Sequence, residues 1–335
     1  MQPLIESDEI WIKPNLSIAR PPETGCIIHP ISAKALVDCL FNVFDFKKPV
    51  RFVETKTFHK GQGMTELLLK LPPNEKVTIE EKLRYRDLNE DIHDFGFNFL
   101  LELSKIKRLV ELYQEQGFDV GVINLSKESV MAVKERKELV DKLEQMSSKK
   151  MTPLEEIRDR IVNHIPKMLR KNKIGLISLA VPKTYDDPDV VITSAMKNVA
   201  VGLHPRYKGF MHKDLARAIV YNYLLWKIAC EDRVFGLVSG PYGMDCEGPL
   251  YGRTVDFPYV IAGSDLLKVD CTVLVLMFGN IEIAKQLTLF RHANHVVGKM
   301  PQLADLKRLA CHSLSFKPSV RSPSCLQAQT VTGFF

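Results

Sequence analysis

Ile174-Gly175-Leu176-Ile177-Ser178-Leu179-Ala180-Val181 is an unbroken apolar run of strand length, stopped at once by Pro182-Lys183-Thr184-Tyr185. A run without polar alternation predicts a strand buried on both faces, as in the middle of a parallel sheet covered by helices. The proline ends the strand and hands Lys183 to whatever lies beyond the sheet edge.

Working outward, Ile10-Trp11-Ile12-Lys13-Pro14-Asn15 near the start has the same design: a short apolar strand, then a lysine beside a proline. Ser32 is a candidate cap for a helix from Ala33 to about Phe44, and Val50–Thr55 reads as the next strand, which together make a βαβ unit. Apolar residues recur at helical spacing from Phe97 to Gln116 and end at Gly117, and Asp119–Leu125 is a further strand. Thr152-Pro153 is a helix start, Leu215–Ala229 a helix, Val234–Val238 and Tyr259–Gly263 strands, and Ser264-Asp265 caps a helix over about Leu266–Phe278. The expected fold is α/β: a mostly parallel open sheet with helices on both faces, in one domain over residues 1–312. An irregular insertion is expected over 59–94, after the second strand. A loose tail rich in Ser, Pro, Gln and Thr is expected over 313–335.

The 335 residues are 45% hydrophobic and 26% charged, enough to bury a core. The formal charge of +6, with a pI near 8.8, is spread along the chain. That favours a small anionic ligand over nucleic acid, which needs a focused basic patch. No apolar run reaches the roughly 20 residues that span a bilayer, so no membrane partner is expected. Seven scattered cysteines without a C-x-x-C pair read as reduced thiols of a cytoplasmic protein.

The chemistry is expected in Thr193-Ser-Ala-Met-Lys197-Asn198-Val-Ala-Val-Gly202-Leu-His204, continuing through Arg206, Lys208 and Met211-His212-Lys213-Asp214. Lysines, an asparagine and histidines gather here between apolar runs, where a structural connection would use serines and glycines. On a helix from Thr193, its hydroxyl and the Lys197 ammonium lie one turn apart, and His212 stands in the same relation to Lys208. The competing reading makes these lysines ordinary surface residues. If the two proline-ended strands are neighbours, Lys13 and Lys183 converge over one crevice at the carboxyl edge of the sheet. Glycines are dense over Ser239–Gly252, which reads as a tight loop approaching a ligand with its backbone. Asp270, inside an apolar helix, has no evident partner.

The order of these motifs resembles a family called domain of unknown function 362, often labelled iron–sulfur centre proteins. The pieces are Ile12-Lys13-Pro14-Asn15; Ser178–Thr184 leading into Thr193–Asn198 and Gly202; Lys208–His212; Gly248-Pro249-x-x-Gly252; and Gly263-Ser264-Asp265 with Asp270. They cover roughly residues 10 to 280. Tyr185 stands where the family's lysine-threonine signature continues with histidine, and Ser239 where an aspartate is common. The ferredoxin-like cysteine run of some members is missing. A four-iron cluster needs compactly spaced thiolates, and the closest cysteines here are Cys26 and Cys39, so no such cluster is expected in this chain.

Three functions compete. In the first, an enzyme holds a small carboxylate or phosphate with Lys13, Lys183 and Lys208, orients it with Asn15 and Asn198, and uses Lys197 as a positioned cation and His212 as a proton shuttle. The second is a redox or iron–sulfur accessory protein, or a ligand-binding protein without turnover. The third places a divalent metal on Asp245 and Asp270, with Glu247 and Asp265 as further oxygen donors. The bland alternatives are a helix cap for Asp265 and a salt bridge to a lysine for Asp270.

Overall fold

The computed structural model describes residues 2–18, 20–55, 92–146, 153–170, 173–185, 187–204, 208–246, 248, 252–278 and 287–296. The expected tail over 313–335 lies outside them, as do Thr152, Arg206 and Glu247. The expected insertion over 59–94 also lies outside, apart from its last three residues.

After a short helix α1 (Gln2–Ile5) come β1 (Glu9–Pro14), α2 (Pro30–Asp38) and β2 (Val50–Glu54), with β1 and β2 paired in parallel as the βαβ reading requires. Helices α3 (Ile92–Leu103) and α4 (Ile106–Glu115) lead to β3 (Val120–Asn124), and α5 (Val133–Met146) and α6 (Glu155–Asn163) lead to β4 (Ile174–Ala180). Two short strands, β5 (Lys183–Thr184) and β6 (Ile192–Thr193), precede helix α7 (Ala195–Ala200), a 3-10 turn over Gly209–Asp214 and the long helix α8 (Leu215–Ala229). Strands β7 (Val234–Ser239), β8 (Tyr242–Asp245), β9 (Arg253–Asp256) and β10 (Val260–Gly263), then helices α9 (Leu266–Phe278) and α10 (Thr288–Val296), complete the described chain.

The main sheet has the order β10-β7-β4-β1-β2-β3, all parallel except β10, which runs antiparallel to β7. Every residue of β4 is buried, because the strand lies between β1 and β7 with apolar layers on both faces. Alternation along β1 shows the two layers. Trp11 packs with Trp226 of α8 on one side, while Ile10 and Ile12 face the opposite core with Leu36 of α2 and Leu109 of α4. Helices thus cover both faces, as expected for a mostly parallel sheet. From β1 the chain winds through β2 and β3 to one edge; from β4 it winds through β7 and β10 to the other. The order therefore reverses between β1 and β4, and it is beyond the carboxyl ends of such a strand pair that open α/β sheets hold ligands.

Several expectations are corrected. The run Phe97–Gln116 is two helices, broken where Lys105 adopts a left-handed conformation with φ 58°. Helix α2 starts at Pro30 and is capped by His29, whose Nδ1 accepts from the Ile31 amide at 3.3 Å, so Ser32 is not its cap. Helix α6 starts at Glu155, with Leu154 in the cap position. The glycine-rich stretch from Ser239 is not a single loop, because β8 lies within it and, with β9 directly after it, joins β5 and β6 in a second sheet of order β6-β5-β8-β9. One of its glycines serves strand packing: a Cβ on Gly243 would stand 2.8 Å from the Pro182 carbonyl oxygen, and Gly25, at φ 72°, packs against the Gly243 backbone with no room for a Cβ of its own.

Candidate functional site

The strand ends bring together a group that linear sequence leaves dispersed. Lys13 closes β1, Glu54 closes β2, and Lys183 follows the end of β4, so all three reach the carboxyl edge beside the reversal point. Lys13 Nζ donates to Glu54 Oε2 at 2.7 Å, and both side chains are 2% exposed. Lys183, fully buried, donates to Asn15 Oδ1 at 2.7 Å, to Ser17 Oγ at 2.8 Å and to the Cys26 carbonyl. Lys208 arrives from the segment after α7 and donates to the Gly202 carbonyl at 2.9 Å. The expected convergence of Lys13 and Lys183 is what the structure shows, and Lys208 joins them.

One carboxylate among the described residues accompanies these three ammonium groups. Among the described residues, Glu54 alone makes an ion pair with any of Lys13, Lys183 and Lys208. Desolvation pushes Lys183 down to about 8; the nearby Cys26 opposes that and the Lys13 charge adds to it. Lys208 is also pushed down to about 8 by desolvation, with Glu54 pulling it up and Lys13 pushing it further down. Each keeps most of its charge at neutral pH, so the site holds a surplus of positive charge on the buried Lys13 and Lys183 and the half-buried Lys208, the arrangement that an entering anion relieves.

Asn15 and Asn198 link the lysines. Asn198 Nδ2 donates to the Lys13 carbonyl at 2.9 Å and to Ser178 Oγ at 3.1 Å, filling the gap between the ends of β1 and β4, where Lys13 and Ser178 are register partners. Its Oδ1 lies 3.4 Å from both Lys13 Nζ and Asn15 Nδ2. Helix α7, which carries Asn198, has only six residues, and its first amides are held from outside. Asp270 of α9 accepts from the Ala195 amide at 2.8 Å and the Met196 amide at 3.0 Å. Asp270 is therefore the cap of α7, a role that neither the metal reading nor the lysine ion pair foresaw. Burial pushes its carboxyl up to about 7, against the two amide bonds that favour the ionised form.

Lys197 and His212 form a second arm. Successive helix residues point about 100° apart, so while Asn198 turns to the strand ends, Lys197 turns to Tyr185 and sets its ammonium 3.0 Å from the ring centroid. The Tyr185 hydroxyl lies 3.2 Å from His212 Nδ1. Two expected pairings fail. Thr193 belongs to β6 and precedes the helix, so it is not one turn below Lys197. Lys208 precedes a 3-10 turn and His212 lies within it, where residues four apart do not stack, and the two side chains take different partners.

The expected carboxylate metal site does not assemble. Asp245 pairs with Arg253 at 2.9 Å and accepts from the Cys246 amide at 2.8 Å, and Asp270 caps α7. Asp265 accepts from the Leu267 and Lys268 amides as the cap of α9. Among the described residues, no three His, Cys, Asp or Glu side chains come together as a metal site. Their five cysteines, Cys26, Cys39, Cys230, Cys246 and Cys271, are free thiols. No described helix is long and apolar enough to cross a membrane.

Glu54 is the residue that sequence reasoning missed. The signal was present: Val50-Arg-Phe-Val-Glu54 also ends a buried strand with a charge, as Lys13 does. Tyr185 was noted only as a departure from a motif, yet it joins Lys197 to His212. Set against family models, curated proteins and solved structures, the chain matches none of them.

Proposed function

We propose that this chain is an enzyme of the domain of unknown function 362 type that acts on a small anionic metabolite, a carboxylate or a phosphate, at the carboxyl edge between β1 and β4. The observation that carries this reading is the charge surplus of the buried Lys13 and Lys183 and the half-buried Lys208 over Glu54. Keeping charge out of water costs several kcal/mol per ion, and the acceptors that hold Lys183 and Lys208 are neutral, so their charge is left unbalanced. An anion offsets it. In this reading Asn15 and Asn198 fix the ligand's orientation, Lys197 stabilises negative charge that develops during the reaction, and His212 exchanges a proton with solvent.

The test is a thermal-shift screen of anionic metabolites, run with and without divalent metal, on the parent and on Lys208→Met. A hit at a hundredfold excess over its Kd stabilises by about 2.7 kcal/mol, and its shift should shrink in Lys208→Met. A screen in which no carboxylate or phosphate stabilises the parent overturns the reading. For a hit that is also turned over, His212→Gln should leave binding within a few-fold and cost about 10²–10⁴ in rate. Binding without turnover in the parent makes the chain a ligand-binding protein instead.

A further inference from the structure

We infer that Tyr185 is the acid–base group of this site, with Lys197 setting its proton affinity and His212 connecting it to solvent. The inference deepens the proposed function, since it assumes that a ligand occupies the lysine cluster. Three observations carry it. The Lys197 ammonium lies over the face of the Tyr185 ring, 3.0 Å from its centroid. The Tyr185 hydroxyl is within hydrogen-bond distance of His212 Nδ1, at 3.2 Å. The third observation is placement: the Tyr185 amide donates to the Val191 carbonyl at 2.6 Å, which continues the pairing of β5 with β6 by one residue. Residues two apart on an extended strand share a face, so Tyr185 lies on the same side of the chain as Lys183, whose ammonium is bound to Asn15.

The chemistry follows from charge. A cation against the ring stabilises the phenolate, which carries a full negative charge, far more than the neutral phenol, which offers only its quadrupole. Lys197 therefore makes Tyr185 a better acid than it would be without the cation. His212 is exposed while Lys197 is buried, so the three groups run from the interior to water. A balanced transfer needs no oxidant or further reactant. The phenol oxygen takes a proton from the bound anion's acidic C–H or O–H as the phenol proton passes to His212 Nδ1, and the imidazole releases its Nε2 proton to water. In the reverse direction the same chain delivers a proton. The imidazole must begin neutral with the proton on Nε2, the tautomer whose Nδ1 can accept.

The experiment needs no substrate. The full chain is labelled with [13Cζ]tyrosine and [13Cε1]histidine, the Tyr185 and His212 signals are assigned by their loss in Tyr185→Phe and His212→Gln, and both are titrated by NMR. The titration of Tyr185 should move up by one pH unit or more in Lys197→Met and stay near the parent's in Lys197→Arg, which keeps the cation. That of His212 should move by half a unit or more in Tyr185→Phe. Curves for Tyr185 that coincide in the parent and Lys197→Met, or an unmoved His212, overturn the inference. Should Lys197→Met fail to fold, Lys197→Gln takes its place. Binding of inorganic phosphate, measured in parallel on the parent and Lys208→Met, reports on the lysine cluster alone, so failure of the relay and failure of anion binding are separate results.

Discussion

Lys13 and Glu54, at the ends of adjacent parallel strands, form an ion pair of 2.7 Å in which each side chain is 2% exposed. Such a pair is worth little against an apolar replacement but much against the loss of one member, because the survivor is left charged and buried. Glu54→Ala should therefore destabilise the fold by about 3–5 kcal/mol in urea unfolding. The double variant Lys13→Met/Glu54→Leu should recover much of that loss. A double variant as unstable as the sum of the single ones means that the two side chains are not energetically coupled.

Lys183 makes a prediction with a sign. Its pKa falls from 10.5 to about 8 in the folded protein, so the unfolded chain binds more protons between those values, and stability from this group rises with pH across that window. At about 1.4 kcal/mol per unit the full effect is about 3 kcal/mol. Other groups titrate above pH 9, so the measurement is the difference between the parent and Lys183→Met. That difference should be flat from pH 6 to 7.5 and turn in the parent's favour above pH 8. A flat difference up to pH 10 removes the depressed lysine.

Asp270 runs in the opposite direction. Its folded value of about 7 lies above the ordinary 3.8, so its contribution is fully present below pH 3.8 and is lost as pH rises to about 7. Relative to Asp270→Asn, the parent should lose stability between pH 4 and 7 and then level off. Asp270→Ala leaves the Ala195 and Met196 amides without their acceptor, at about 1–3 kcal/mol for each buried group. Chemical denaturation of both variants across this range checks the two effects.

How much of this was legible in sequence depends on what kind of signal each part leaves. The continuous apolar run of β4 has one physical meaning at its length, and the prolines at the end of β1 and just after β4 marked the carboxyl edge of the sheet, so the parallel sheet and the meeting of Lys13 with Lys183 could both be read. Local periodicity could not show that Asp270 reaches across to another helix, since the contact spans 75 positions and depends on how α9 packs on α7. The break at Lys105 was hidden for a different reason: a single left-handed residue changes the helix direction without interrupting the apolar spacing. The second sheet was missed because β5 and β6 have two residues each, below the length at which alternation can be recognised.

Gly202 tests the packing of the lysine cluster. A Cβ there would come closest to the backbone carbonyl oxygen of Asn198, which must shift, and would also stand 2.5 Å from Lys13 Cε and 2.9 Å from its Nζ. Gly202→Ala must push the ammonium away from Glu54 and from Asn198, and overpacking of this kind costs about 1–3 kcal/mol. Phosphate binding should weaken along with stability. A Gly202→Ala protein with the parent's unfolding midpoint and phosphate affinity would show that both the Asn198 backbone and Lys13 have room to spare.

The charge surplus itself has a calorimetric signature. Lys183 and Lys208 both titrate at about 8, so at that pH each is about half protonated, and the site carries less charge than at pH 6.5. An anion bound among them favours the ammonium forms and raises both values, so binding at pH 8 must draw in protons, up to about one for the pair. At pH 6.5 both groups are already charged and almost none should enter. The heat of binding of inorganic phosphate should therefore depend on the ionisation enthalpy of the buffer at pH 8 and lose most of that dependence at pH 6.5, once the phosphate's own titration near neutrality is subtracted with sulfate as a second probe. Lys208→Met should roughly halve the uptake. Binding with equal apparent heats in all buffers at pH 8 would mean that the anion does not meet these lysines, and the site between β1 and β4 would lose its claim to be the place where the ligand sits.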